Sequence, residues 1–401
     1  MSAPRRGAGG AADPADTAAS VSRLTGLGPR EFARDVWGRA AFLARGAGDF
    51  SDLFSADAVD ELVSRRGLRT PFIRVAKDGA TLPESSYTSS AGVGAGIGDQ
   101  VDDTALWRAF ADGATLVLQA LQRTWAPVAD FGAGLGSELG HPVQVNAYVT
   151  PPQSRGFDDH FDVHDVFVVQ IAGTKRWVVH RPVHIDPLRD QPWTAFRSAV
   201  AEAADGEAHT DAVLEPGDVL YLPRGWLHAA RAQGEISIHL TLGVHTWTRH
   251  ALAEQLVRAA LDALRDDPDM RASLPLGVDG PDDEIGIVRK RLLAAVADAD
   301  AAPGFQLARR RQARPAPLGP LAQLRAVDRL GPASRVRLRE ALEARLDGVR
   351  LFTRVGWLDF PPADLPSVER LLDGAAHLAG DLGVDLVGRL LHAGVVVPAG
   401  R

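Results

Sequence analysis

The chain has no cysteine in its 401 residues. That excludes a disulfide scaffold, an iron–sulfur cluster and a cysteine-ligated zinc site, so any metal must be held by histidines and carboxylates. Lysine is nearly as scarce: of 44 Lys and Arg, only Lys77, Lys175 and Lys290 are lysines. Long apolar runs are missing too, and no stretch approaches the ~18 residues of a membrane-spanning helix. The opening MSAPRRGAGGAADPADTAAS lacks the apolar core of a signal peptide. Small, polar and rich in Pro and Gly, it predicts a disordered tail over residues 1–22 of a cytoplasmic protein. A net charge of −7 argues against nucleic-acid binding dominated by phosphate contacts. The charge is uneven, however. Residues 289–350 are arginine-rich, with Arg309-Arg310-Arg311 and Arg335, Arg337 and Arg339. Such a face is either solvated or turned toward RNA or an acidic partner.

What the chain does carry is a split set of metal-ligand residues. One stretch reads DDHFDVHDVFVVQIAGTKRWVV and holds His160, Phe161 and Asp162; the other, EPGDVLYLPRGWLHAA, holds His228. In a regular strand, a His and an Asp two positions apart share a face. A second His from a distant strand then places two imidazoles and a carboxylate on one side of a metal. This is the facial triad of non-heme Fe(II) oxygenases, whose free positions take a cosubstrate and dioxygen. Alone, His-x-Asp fits a solvated surface strand equally well. The second stretch is more specific, because Gly217, Pro223, Gly225 and His228 suit a strand, a tight turn and a second strand around Val219-Leu220-Tyr221-Leu222. Its competing reading is a core hairpin with a satisfied histidine. His164 extends the series to His-x-Asp-x-His, but three ligands on one strand would span about 13 Å, too far to share bonds of about 2 Å. His164 is therefore read as a group behind the ligands, in a substrate cleft or in plain packing. Trp226 is expected at the cleft mouth, as packing or as a substrate wall.

With NAYVTPPQSRGFDDHFDVHDVFVVQIAGTKRW, PGDVLYLPRGWLH and ISIHLTLGVH in view, residues 140–245 resemble the JmjC-type, cupin-fold 2-oxoglutarate oxygenases. Within them they resemble the ribosomal oxygenases, which hydroxylate side chains of ribosomal proteins. The resemblance implies that His160, Asp162 and His228 hold Fe(II). It implies that Lys175 receives the distal carboxylate of 2-oxoglutarate, and that Asn146 and Tyr148 line the cosubstrate pocket. His239 and Thr241 have the parity to look into the barrel. The residues themselves add support for Lys175. A buried ammonium is costly unless it meets an anion, and a compact point charge suits a carboxylate. The alternative is a surface lysine in a turn after Gly173. Asp165 and His239 are candidate acceptors for orienting the ligand imidazoles.

The expected fold is α+β. A double-stranded β-helix (cupin, jelly roll) with flanking helices covers 23–248, a helical region 249–315, and a winged-helix-like domain 316–401. Strands are expected in PVQVNAYV, DVFVVQI, KRWVVH, DVLYLP and ISIHLTLGV. Residues 28–46 read as an amphipathic helix, and 103–140 as two helices broken near Pro127. The Gly-rich 92–100 lacks the setting of a phosphate cradle and reads as a loop. By resemblance the helical region serves homodimerisation and the last domain serves protein contacts. The function expected is hydroxylation of an Arg or His side chain on a ribosomal protein by a soluble 2-oxoglutarate-dependent dioxygenase. The alternatives are a hydroxylase of a small molecule or peptide natural product, and a non-catalytic metal-binding cupin module.

Overall fold

The structure is a computed structural model that describes residues 20–152, 154, 158–277, 282–312 and 315–399. Of the expected tail, residues 1–19 lie outside the described residues, as does the side chain of Arg310 in the arginine run. Ser20–Ser22 depart from that expectation: they open a helix in which Val21 is buried, since an apolar residue with a core to meet orders its neighbours. The chain divides into two compact units, one ending at Thr246 and the other beginning at Trp247.

The first unit is built on a sheet of nine strands: β1 (Phe42–Ala44), β2 (Ile73–Lys77), β3 (Ala80–Thr81), β4 (Thr115–Leu118), β5 (Val143–Thr150), β6 (Asp165–His180), β7 (Thr210–Leu214), β8 (Val219–Leu222) and β9 (Leu227–Val244). Their order is β1-β8-β6-β9-β5-β4-β2-β3, with β7 on β6. The first half of β6 pairs with β8 and its second half with β7, while β9 runs along β6 for nearly its whole length and also along β5. Two long strands that change partners midway curl the sheet into the expected double-stranded β-helix.

Six helices flank it: α1 (Ser20–Thr25), α2 (Pro29–Asp35), α3 (Ala56–Arg65), α4 (Asp103–Ala111), α5 (Ala126–Leu139) and α6 (Arg197–Ala204). Ser55 and Asp102 cap α3 and α4 by accepting from the N–H of Ala58 and Ala105. Two helix expectations need correction. Within 28–46 only Pro29–Asp35 is helical. Gly38 then takes φ +65° and Phe42–Ala44 joins the free edge of β8, so sheet pairing overrides local periodicity. Within 103–140, Thr115–Leu118 forms a strand buried on both faces, where period two cannot show. Pro127 breaks nothing: it sits in the first turn of α5, where its missing N–H costs no bond.

Directly paired residues lie on one face of a sheet. On the outer face, Val145, Ala147, Val149, Phe167, Tyr221 and Leu240 pack with the flanking helices. On the inner face, Val166, Val168, Trp177, Val179, Leu220 and Leu222 line the barrel.

The second unit opens with α7 (Arg249–Ala263), α8 (Asp282–Asp298) and α9 (Ala302–Gln312), with α7 packed on both others. After α10 (Pro320–Asp328) come β10 (Arg335–Leu338), and β11 (Arg345–Asp347), β12 (Arg350–Thr353) and β13 (Gly356–Asp359) in one small sheet. Helices α11 (Leu365–Leu371), α12 (Ala379–Leu382) and α13 (Val384–His392) complete a core around Val336, Leu351, Val368 and Leu390. Among the described residues, no helix is long and apolar enough to cross a membrane.

Candidate metal centre

Three backbone hydrogen bonds bring the halves of the split motif together. His160 and His228 exchange N–H···O bonds of 3.3 and 2.8 Å, and the Gly225 N–H donates to the Asp162 carbonyl at 2.9 Å. Residues 160–164 are not a regular strand, because β6 starts only at Asp165. The convergence of His160 and Asp162 thus comes from this clamp and not from strand alternation. The turn presenting His228 requires glycine: Gly225 has φ +87°, and a Cβ there would lie 2.6 Å from the His184 carbonyl. Behind the turn, the Asp165 carboxylate accepts from Tyr221 Oη at 2.6 Å and from the Arg224 N–H at 3.0 Å.

The ligand atoms of His160, Asp162 and His228 lie within 4.8 Å of one another, with His228 Nε2 3.8 Å from Asp162 Oδ2. Ligands bound to one ion at about 2.1 Å sit about 3–4 Å apart, so closure on a metal needs side-chain shifts of about an ångström. Nδ1 of His160 is 2.7 Å from the Asp158 carbonyl, and Nδ1 of His228 is 3.1 Å from the Trp226 carbonyl. A carbonyl only accepts, so both Nδ1 atoms carry a proton, which leaves Nε2 as the atom of each ring that could face a metal. Burial, reinforced by His160, pushes His228 down to about 4 and keeps it neutral, as a ligand must be. Burial pushes Asp162 up, but His164, His228, His160 and His245 outweigh it and hold the carboxyl below its usual range. Two imidazoles and one carboxylate form a donor set suited to a divalent first-row metal.

The expected imidazole acceptors are corrected here. Asp165 is engaged by Tyr221 and Arg224. Among the described residues His239 Nδ1 has no hydrogen-bond partner, a ligand nitrogen included, and its ring stacks on Tyr148 at 5.0 Å. The backbone carbonyls of Asp158 and Trp226, each two residues before its histidine, fill the role. Trp226 also departs from the mouth position, being 5% exposed within the barrel's apolar lining.

Further in, β6 changes parity. His239 pairs with Gln170 but Ile238 pairs with Ala172, so β6 carries one extra residue at a bulge. Ile171 and Ala172 both turn to the outer core, and beyond Gly173 (φ +60°) the odd-numbered residues face inward. Lys175 therefore points into the barrel. It is 3% exposed, with Nζ donating to Thr150 Oγ1 at 3.0 Å, and burial pushes its ammonium down to about 7. This is not a surface turn. Burial and then Lys175 push His239 far below the usual histidine value, and burial followed by the Asp162 charge raises Tyr148 to about 12. Asn146 Oδ1 accepts from the Ala120 N–H at 3.0 Å and from Gln144 Nε2 at 3.3 Å, and Thr241 lies directly opposite Asn146 on β9. Asn146, Tyr148, Thr150, Lys175, His239 and Thr241 thus share the inner face.

Thr150 and Arg74, which hydrogen-bonds the Tyr148 side chain, escape the sequence reading. Thr150 has a signal, since it continues the parity of Asn146 and Tyr148. Arg74, on β2, has none.

A family model described as the JmjC domain matches residues 132–252. Ribosomal oxygenase 1 of Rattus norvegicus is 32% identical over 258 residues, which cover 63% of this chain and 41% of that protein. The bifunctional lysine-specific demethylase and histidyl-hydroxylase NO66 of Drosophila willistoni is 30% identical over 261 residues, covering 63% of this chain and 32% of that protein. The chain thus spans less than half the length of these relatives. Among solved structures, YcfD, a ribosomal oxygenase from Escherichia coli, superposes with a TM-score of 0.56 at 19% identity, covering 94% of this chain and 99% of that one. That likeness is one of fold. Residues 132–252, which hold the clamped His–Asp–His cluster, thus match the JmjC-domain model, and the chain is similar to the ribosomal oxygenases.

Proposed function

We propose that the protein is an Fe(II)- and 2-oxoglutarate-dependent dioxygenase that hydroxylates an Arg or His side chain of a ribosomal protein. The observation that carries this reading is the pairing of the His160–Asp162–His228 cluster with a buried Lys175 on the sheet face that also carries His228. Relatives named as ribosomal oxygenases and a histidyl-hydroxylase support it, as does a YcfD structure in complex with cobalt and 2-oxoglutarate.

In this reading His160, Asp162 and His228 hold the metal, and the carbonyl-bound Nδ1 protons of the two histidines fix their rings. Lys175, held by Thr150, meets the distal carboxylate of 2-oxoglutarate. Asn146, Tyr148, His239 and Thr241 wall the cosubstrate and keep it oriented. Bound Fe(II) supplies the oxidising chemistry, converting 2-oxoglutarate and dioxygen to succinate and CO₂ as one oxygen atom enters the target C–H. The apolar lining of Val166, Val168, Trp177 and Leu222 excludes water from that chemistry. The reading extends to the second unit. Exposed Leu261, Ile285, Val288 and Leu293 on α7 and α8 support a homodimer, and residues 316–399, read as winged-helix-like, would serve protein contacts.

The experiment is an intact-mass comparison of ribosomal proteins from cells with and without the gene. One protein lighter by the mass of an oxygen atom in the deletion strain is the expected result. No difference, with 2-oxoglutarate turnover still present, would replace the ribosomal target by a small molecule or peptide.

A further inference from the structure

Two histidines at the barrel mouth take no part in the metal and cosubstrate sites just assigned. β6 begins at Asp165 and β9 ends at Val244, and these residues pair. His164 and His245 sit one position beyond that pair, and both act electrostatically on Asp162. Their rings stack with centroids 5.0 Å apart and planes at 19°. His245 is tied at both nitrogens, with Nε2 3.2 Å from Gln144 Oε1 and Nδ1 3.5 Å from Arg189 Nη2. A guanidinium only donates, so Nδ1 accepts and Nε2 gives its proton to the Gln144 amide oxygen.

His164 differs from its partner. It is half-buried, and among the described residues neither of its nitrogens has a hydrogen-bond partner. Its ring is nevertheless fixed on two sides, by His245 and by Gly243. A Cβ at Gly243 would lie 2.6 Å from His164 Cδ2 and 2.7 Å from Nε2, so the ring needs glycine beneath it. The result is a rigid polar group with unused hydrogen-bonding capacity, beside a candidate metal ligand. Ordering such a side chain in advance removes an entropy cost from binding.

We propose that His164, held by Gly243 and His245, is a positioning residue that hydrogen-bonds the target side chain at the mouth. It selects a planar, nitrogen-bearing side chain over an aliphatic one. An aliphatic target would strip water from the imidazole nitrogens and return no bond, whereas an imidazole, guanidinium or amide replaces the lost water. The inference rests on the protein-hydroxylase reading and adds to it the group that orients the target.

The test uses the full chain with His164→Leu, His164→Asn and Gly243→Ala. The probe is total protein from cells lacking the gene, separated into ribosomal and non-ribosomal fractions. Oxygen-mass gain identifies the target, and KM and kcat are then measured on it. Binding of the purified target to the Zn(II)-loaded chain is followed by calorimetry. His164→Leu should raise the target KM and weaken Zn(II)-form binding by about tenfold, the loss expected for one hydrogen bond, with a smaller change in kcat. Gly243→Ala should reproduce the defect by displacing the ring, and His164→Asn should restore most of it. Target KM and affinity within about twofold of wild type in His164→Leu would overturn the inference, as would His164→Asn behaving like leucine. Mass gain confined to the non-ribosomal fraction removes the ribosomal reading and leaves the His164 comparison intact on the new target. No gain on any protein overturns both.

Discussion

Inside the barrel, Lys175, His228 and His239 are 3%, 7% and 2% exposed, while on α8 of the second unit Leu293, Ile287 and Ile285 are 65%, 49% and 42% exposed. The two regions break the ordinary sorting of residues in opposite directions. In the barrel, polar groups are withheld from water although burial disfavours their charged forms. On the helices, apolar groups are offered to water although burial would stabilise them. α8 packs on α7 yet buries none of its residues among the described residues, so its apolar side chains stay largely in water. The contrast teaches where each region departs from a self-contained fold: one by burying polar groups, the other by exposing apolar ones. In the proposed reading, the barrel's polar groups would meet a metal and a carboxylate, and the exposed apolar groups of α8 would meet a second copy of the chain.

The largest expected effect comes from emptying the barrel's polar cluster. His160→Ala and Asp162→Ala should each lower iron content and succinate formation by more than the roughly 10–100-fold lost when groups behind a metal's ligands are changed. Circular dichroism should stay that of the wild type, since the backbone clamp uses no side-chain atom. Undiminished turnover in both variants would end the assignment of this cluster as the metal site.

Breaking the other side of the contrast requires charge on the helices. Leu261→Glu with Leu293→Glu should convert a paired species to single chains in sedimentation velocity. Each leucine withheld from burial removes about 1.5–3 kcal/mol of association energy. A wild-type chain that sediments as a monomer would refute the dimer instead.

Lys175→Ala should raise the 2-oxoglutarate requirement by about thirtyfold or more, from the 2–5 kcal/mol cost of breaking a buried charge pair. Lys175→Arg should retain part of the activity, and unchanged cosubstrate affinity in the alanine variant would move the carboxylate site elsewhere.

A smaller effect sharpens the same point. Burial pushes Lys175 down to about 7, and an anion binds its protonated form. Cosubstrate affinity should therefore be flat below pH 7 and fall by up to about tenfold per unit above it. Folding carries the opposite sign. Between this depressed value and the ordinary lysine value of about 10.4, the unfolded chain holds the proton that the folded chain has lost, so stability rises with pH across that window. Titration of the metal-free protein should show both trends, and Lys175→Ala should abolish both.

Much of the centre was legible before any coordinates. His160, Asp162 and His228 announce themselves through residue type, and Gly217, Pro223 and Gly225 through turn chemistry that few other residues satisfy. The barrel strands were legible for the same reason, since β-branched runs bounded by turns leave little freedom. Less legible were Thr115–Leu118, whose burial on both faces erases periodicity, and Phe42–Ala44, which is a strand only because β8 offers it an edge. Asp165 illustrates the limit for side chains. Its place beside the ligands suggested an imidazole partner, but Tyr221 and Arg224, distant in sequence, reach it first.

By itself, the sequence determined which side chains could bind a metal, that no cysteine is among them, and that one of three scarce lysines follows the His-x-Asp motif. These are properties of residue identity and short-range spacing. Only the tertiary structure decided that Lys175 faces inward. Counting parity along β6 from Val168 and Gln170 places Lys175 on the outer face, and the bulge around Ala172 and Gly173 reverses it. A one-residue slip in a strand turns every later side chain over, and that slip is set by pairing with β9, some sixty residues away in the chain.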